Sequence, residues 1–187
     1  MMMPLTKSET RSAGRGNAQL TVESVSGQSV VTSAFASNPL KLLTPRARGE
    51  SVWAYTSSFG GGFVAGDETR LNLRAGKDAR CFLGTQASTK IYRNPGRRAC
   101  GHITEATVEE NALLVFAPDP VQPFANSSYT QRQTFQLGAG AGLVLVDWFS
   151  SGRAARGERW AFQRFQSRND VFISGERIFV DSVLLDS

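Results

Sequence analysis

The chain has 187 residues, 41% of them hydrophobic and 20% charged, which fits one soluble domain and excludes a disordered or low-complexity polypeptide. Its net charge of +5 permits an acidic partner, but the 21 Lys and Arg residues are scattered and not interleaved with exposed-looking aromatics, which argues against a nucleic-acid interface. The longest charge-free interval, 24–40, is rich in Ser, Asn and Thr and is no membrane span.

Residues 1–17 carry Lys7, Arg11 and Arg15 among Ser, Thr and Gly without an apolar period. They read as a loose tail before a single β domain over 18–187. From Gln19 the pattern alternates: Leu20 and Val22 share a face, Gly27-Gln28 can turn, and Val30-Val31 opens a second strand. Pro39 and Pro45 bracket an apolar strand-like piece, Leu40 to Leu43, and mark its ends because proline cannot donate to a ladder.

The densest stretch follows, from Ser58 to Asp67, with Gly60, Gly61, Gly62 and Gly66 around Phe63, Val64 and Ala65. Gly61 and Gly66 have the outer spacing of a phosphate loop, but Asp67 stands where its lysine should be. A dinucleotide fingerprint fails as well, because Thr69 to Leu73 alternates instead of opening a helix. A glycine-rich corner between strands remains, with Asp67 either capping the turn or facing a polar cavity.

Beyond it, a strand to Leu73 and a turn over Arg74 to Asp78 lead to a strand in which Ala79, Cys81, Leu83 and Thr85 share a face. Thr85 to Tyr92 is polar between apolar flanks, so its hydroxyls and amide need specific partners. Arg93 to Arg98 reads as a solvated turn around Asn94-Pro95-Gly96. Ile103 to Glu109 alternates, Glu110-Asn111 turns, and Ala112 to Phe116 is apolar. Pro118, Pro120 and Pro123 make Ala117 to Phe124 an extended loop. Thr134 to Leu137 reads as a short strand, and Leu143 to Phe149 as a longer one buried on both faces with Asp147 in an apolar row. A Gly-rich loop from Ser151 to Glu158, an alternating segment from Trp160 to Gln166, a break at Arg168-Asn169-Asp170, and strands Val171 to Ile173 and Ile178 to Leu185 complete the chain. Many short strands and no long amphipathic helix predict an all-β fold of stacked or wound sheets. The sequence stops inside strand-like residues, which suggests a C-terminal truncation.

Chemistry is sparse. Two cysteines, Cys81 and Cys100, allow a single disulfide, and no N-terminal apolar segment resembles a signal peptide, so a reducing compartment is expected. Asn126-Ser127-Ser128 matches a glycosylation sequon by chance in that setting. The one histidine, His102, lacks a nucleophile elbow, which leaves a small hydrolase weakly supported. Cys100 and His102, two apart on a strand, could share a metal such as Ni²⁺, or be a small buried residue and a surface one. Asp67, Asp147 and Glu158 each stand where burial demands a partner, with Arg153 and Arg156 as candidates. A polar channel and three structural ion pairs both account for them.

Taken in order, Gly60-Gly61-Gly62-Phe63-Val64-Ala65-Gly66-Asp67, Thr85-Gln86-Ala87-Ser88-Thr89-Lys90-Ile91-Tyr92, Pro118-Asp119-Pro120-Val121, Asp147-Trp148 and Ser151-Gly152-Arg153 with Gly157-Glu158 resemble the urease accessory protein family UreD (UreH), the Pro118-Asp119-Pro120-Val121 and Asp147-Trp148 variants most like its eukaryotic branch. The resemblance implies an all-β, helically wound stack of strands with few short helices, and a non-enzymatic cytoplasmic scaffold. It implies UreF, the GTPase UreG and the urease apoprotein as partners, no tightly bound cofactor, and nickel in transit through a polar tunnel. Asp67, Asp147 and Glu158 would then be metal-path carboxylates with Thr85, Gln86, Ser88, Lys90 and Tyr92 nearby, and Gly60, Gly61, Gly62, Gly66, Pro118, Pro120, Gly152, Arg153 and Gly157 structural motif positions. No metal role carries over to Cys100 or His102. A β-rich interaction module without metal traffic is the rival expectation.

Overall fold

A computed structural model describes residues 13–46, 49–94, 96 and 98–186. It is a four-coil β-solenoid built from three kinds of strand. Each coil begins in a five-stranded sheet, crosses a short three-stranded one and ends in a seven-stranded sheet. The first coil is β4 (Val52–Ser58), β5 (Gly62–Phe63) and β6 (Glu68–Ala75); the second is β7 (Arg80–Thr85), β8 (Thr89–Ile91) and β9 (Cys100–Val108). The third is β10 (Leu113–Phe116), β11 (Val121–Pro123) and β12 (Ser128–Leu137). The fourth is β13 (Gly142–Leu145), a single bridge from Phe149 to Val121, and β14 (Arg164–Ile173). Equivalent strands of successive coils pair in parallel, and coils start about every thirty residues, a usual solenoid period.

Antiparallel strands flank the stack. At one end β1 (Arg15–Val25) pairs in parallel with β6 and antiparallel with β2 (Gln28–Ala36), while β3 (Leu40–Leu43) pairs with β4. At the other, β15 (Glu176–Asp186) lies antiparallel to β14. The all-β, wound-sheet expectation is met, and the glycine corner does join two strands, through a 3-10 turn at Phe59–Gly61.

Because coils stack in register, each level of the interior is a row of one residue per coil. Leu20, Leu73, Ala106, Phe135 and Val171 form one apolar row across the seven-stranded sheet. Ala54, Leu83, Phe116 and Leu145 form its counterpart on the five-stranded sheet. Such rows bury apolar area at about 25 cal/mol per Å², and they hold the two walls of the site apart.

Several boundaries differ from expectation. β1 starts at Arg15, inside the expected tail; residues 1–12 of that tail lie outside the described residues, as do Ala47, Arg48, Pro95, Arg97 and Ser187. The 117–124 segment is not wholly irregular, since Val121–Pro123 pairs with β8. β12 is a ten-residue strand instead of the short piece expected from Thr134. The segment 143–149 is not buried on both faces. β13 is an edge strand, with Val144, Val146 and Trp148 at 49%, 38% and 51% exposure. The break at Arg168 to Asp170 is absent, because β14 runs through it with Asn169 and Asp170 buried.

Candidate functional site

Between the two large sheets lies a cavity of about 340 Å³. From the seven-stranded sheet His102, Gln131 and Gln133 line it, and each belongs to one of two consecutive polar levels. Thr69, His102, Gln131 and Ser167 stand side by side on β6, β9, β12 and β14, and two residues along, Thr104, Gln133 and Asn169 repeat the arrangement. All but the half-buried His102 are buried, so each needs a partner. Gln133 donates to Asn169 Oδ1 at 2.8 Å, Gln131 Nε2 to Ser167 Oγ at 2.9 Å, and the buried Tyr129 hydroxyl to Gln131 Oε1 at 3.2 Å.

The facing wall supplies the charge. Asp147 stands two residues past Leu145, the last paired residue of β13. Its Oδ1 accepts from Gln131 Nε2 at 2.8 Å, and its Oδ2 from Ser167 Oγ at 2.5 Å and Asn169 Nδ2 at 2.8 Å. Its carboxylate is thus held by three neutral donors. Beside it, Thr85 Oγ1 donates to Asp119 Oδ2 at 2.9 Å and accepts from the Asp119 N–H at 2.8 Å, while Trp148 Nε1 donates to the Pro118 carbonyl at 2.8 Å. Among the described residues of the lining, the carboxylates Asp119 and Asp147 are accompanied by no lysine or arginine. Such a chamber favours a cation over an anion.

His102 is the residue that sequence reasoning misplaced. It lines the cavity instead of the outer surface, stacked on Phe63 with ring centroids 6.0 Å apart. Its Nδ1 meets Thr69 Oγ1 at 2.7 Å and its Nε2 meets Thr104 Oγ1 at 3.2 Å. Burial pulls its basicity down to about 4, so the imidazole is neutral at pH 7. Cys100 is no partner for it in a thiolate site: burial pushes both thiols, Cys81 and Cys100, up to about 12. Among the described residues no three His, Cys, Asp or Glu side chains form a metal cage.

The motif residues divide between this cavity and its frame. Gly61, Thr85, Gln86, Ser88, Pro118 and Asp147 line the cavity. Asp67, Lys90, Tyr92 and Glu158 are not among the lining residues. Asp67 is fully buried, its Oδ1 accepting from the Gly14 N–H at 2.8 Å and its Oδ2 from the Val64 N–H at 2.9 Å, which pins the glycine corner to the segment before β1. Tyr92 donates its hydroxyl to the Gly60 carbonyl at 2.9 Å. Gly62 lies against β8, where an added Cβ would sit 2.3 Å from the Lys90 carbonyl oxygen. Gly152, at φ +106, leaves room for a Cβ only 2.8 Å from two carbonyls.

Glu158 forms a latch with Arg153. Arg153 Nε donates at 2.8 Å and its Nη2 donates to the other oxygen, the Ala125 N–H donates at 3.1 Å, and the Arg153 guanidinium lies 4.2 Å from the centre of the Phe124 ring. The Arg153 bonds, then the Ala125 N–H, hold the Glu158 carboxyl at about 2 against an ordinary 4.5. Its contribution to stability is therefore complete above pH 4.5 and lost as pH falls from there towards 2. Glu158→Gln is expected to flatten the fall of the thermal midpoint between about pH 5 and about pH 2.5, measured by circular dichroism.

The buried polar levels were legible in part. Gln131 and Gln133 alternate with Arg132 and Thr134 in the sequence, a period that marks them as one face of a strand. No signal within β14 pointed inward at Ser167 or Asn169.

A family model described as UreD urease accessory protein matches residues 14–187. The chain is 47% identical over 177 residues to "Urease accessory protein UreD" of Sorangium cellulosum, covering 94% of this chain and 56% of that protein. It is 40% identical over 173 residues to "Urease accessory protein D" of Arabidopsis thaliana, covering 90% and 59%. With "Uncharacterized urease accessory protein ureD-like" of Schizosaccharomyces pombe the identity is 37% over 152 residues, covering 80% and 52%. The chain thus spans somewhat over half the length of these relatives.

Proposed function

The chain belongs to the UreD urease accessory protein family, and on that premise we propose that it serves urease maturation as a non-catalytic scaffold through which nickel passes to the urease apoprotein. The family match over 14–187 supports the urease side of this reading. The cavity supports the nickel side: Asp147 and Asp119 give it negative charge, hydroxyls and amides give it oxygen ligands, and among the described residues the lining holds no lysine or arginine.

The donor set suits passage better than storage. Carboxylate, amide and hydroxyl oxygens bind a borderline cation such as Ni²⁺ less tightly than a His and thiolate cage, and a path must release what it accepts. Asp147 would be the principal metal-path residue, with Thr85, Gln86 and Ser88 beside it. Asp67 would act by fixing the glycine corner and Glu158 by latching the loop after β13. Lys90 and Tyr92 would hold the frame.

In this reading the partners are the urease apoprotein, a UreF-like protein and a UreG-like GTPase. The nucleotide chemistry lies with the last, since the glycine corner carries Asp67 where a phosphate loop has lysine. The site of action would be the cytoplasm; among the described residues no helix is long and apolar enough to cross a membrane. A hydrolase reading is less well supported, because His102 meets Thr69 and Thr104 and not an orienting carboxylate. The protein is expected to co-purify with urease apoprotein and a UreF-like protein from cells expressing all three. Absence of the protein from repeated pull-downs with either partner as bait contradicts the scaffold role.

A further inference from the structure

The polar levels place one nitrogen donor among oxygens. His102 stands next to Gln131 in the same interior level, and Gln131 donates to Asp147 Oδ1 at 2.8 Å. One side chain therefore separates the imidazole from the carboxylate.

The hydrogen bonds also choose the tautomer. Thr69 Oγ1 donates to the Gly101 carbonyl at 3.2 Å, and a hydroxyl has a single proton to give. Toward His102 Nδ1, 2.7 Å away, Thr69 then acts as acceptor, which puts the ring proton on Nδ1 and leaves the lone pair on Nε2. Nε2 meets the Thr104 hydroxyl at 3.2 Å, and that hydroxyl can rotate aside. A fixed Nδ1–H, with an Nε2 lone pair covered by a rotatable hydroxyl, is the arrangement by which an outer residue orients a metal-ligating histidine.

We propose that His102 Nε2 is a ligand for the divalent transition-metal ion moving through the cavity, with Thr69 as its positioning residue. This rests on the metal-path reading above and adds selectivity to it. An all-oxygen path treats Mg²⁺ and Ni²⁺ alike in ligand type, whereas one imidazole favours the borderline metals.

The test uses Cu²⁺ and Co²⁺ as probes on the purified protein, carried on a tag without histidine. His102 is the chain's single histidine, so any imidazole nitrogen coupled to bound Cu²⁺ in pulsed EPR comes from it. The expected result is an imidazole signal in the unaltered protein, and Co²⁺ binding weakened about tenfold or more in His102→Gln and about tenfold in Thr69→Val, with Mg²⁺ binding unchanged in both. Absence of imidazole coupling in the unaltered protein overturns the proposal, even if a variant fails to fold. So does Co²⁺ binding to folded His102→Gln with unaltered affinity and spectrum. If the probes fail while urease in cells lacking the gene is nickel-free, the ligand role falls and nickel delivery stands; if urease is metallated without the gene, the delivery reading itself falls.

Discussion

Asp147→Asn is expected to leave the protein folded and bound to its partners while lowering the nickel content of urease tenfold or more under limiting nickel. The substitution separates the charge of Asp147 from its hydrogen bonds. Asn keeps an acceptor oxygen for Ser167 and Asn169, which share one carboxylate oxygen, and loses the acceptor for Gln131 Nε2 on the other. The structural cost is therefore about 1–2 kcal/mol, small against a folded domain's total of about 5–15 kcal/mol. The electrostatic loss is larger. A unit charge about 4 Å from a monovalent ion is worth about 4 kcal/mol at an effective dielectric of 20, and tenfold corresponds to about 1.4 kcal/mol. Nickel per urease active site, measured by mass spectrometry of metals, reads the outcome. Unchanged nickel with Asp147→Asn removes Asp147 from the path; a dissociated complex assigns it a structural role instead.

Gly62→Ala is expected to cost about 3 kcal/mol or more of folding free energy, the range of severe core overpacking. Gly62 is extended at φ 174, so an alanine is allowed by the backbone. The obstacle is contact: the new methyl would sit 2.3 Å from the Lys90 carbonyl oxygen and 2.9 Å from the Tyr92 ring, and β5 pairs with β8 at this residue. A backbone carbonyl cannot swing away as a side chain could. Gly101→Ala is the control, since its Cβ would meet Thr130 O at an ordinary 3.6 Å; it is expected to change stability by less than about 1 kcal/mol. Urea titrations of the two variants check the pair. Equal midpoints would show that the corner does not depend on close approach to β8.

Strand existence was readable from alternation, as in Leu71 and Leu73 or Cys81 and Leu83, because one face of each strand is buried. The coil repeat was not. Val52, Arg80, Leu113 and Gly142 start equivalent strands yet share no residue type, since a solenoid level asks only for side chains that stack. Asn169 and Asp170 imitate a turn in sequence because their short polar side chains compete for backbone bonds. In the fold, Asn169 is bonded to Gln133 of the preceding coil and to Asp147 across its own, and Asp170 to Arg168 on the same strand.

The site was legible by motif and less so by geometry. Thr85, Pro118-Asp119 and Asp147-Trp148 meet through Thr85 with Asp119 and Trp148 with Pro118, contacts between residues about thirty apart that no local pattern encodes. Asp67 and Glu158 looked equivalent to Asp147 because each carboxylate lies among glycines or apolar residues. The fold distinguishes them by donors: backbone N–H groups for Asp67, an arginine for Glu158, and the cavity's amides and hydroxyl for Asp147. His102 faced inward because its strand neighbours Cys100 and Thr104 do, a relation the sequence contained once the strand was placed.

The most direct measurement is the nickel content and activity of urease purified from cells lacking this gene, with and without its return on a plasmid. The account predicts urease protein at normal abundance, depleted of nickel and inactive, with both restored by the returned gene. Fully metallated, active urease in the deleted cells would contradict it.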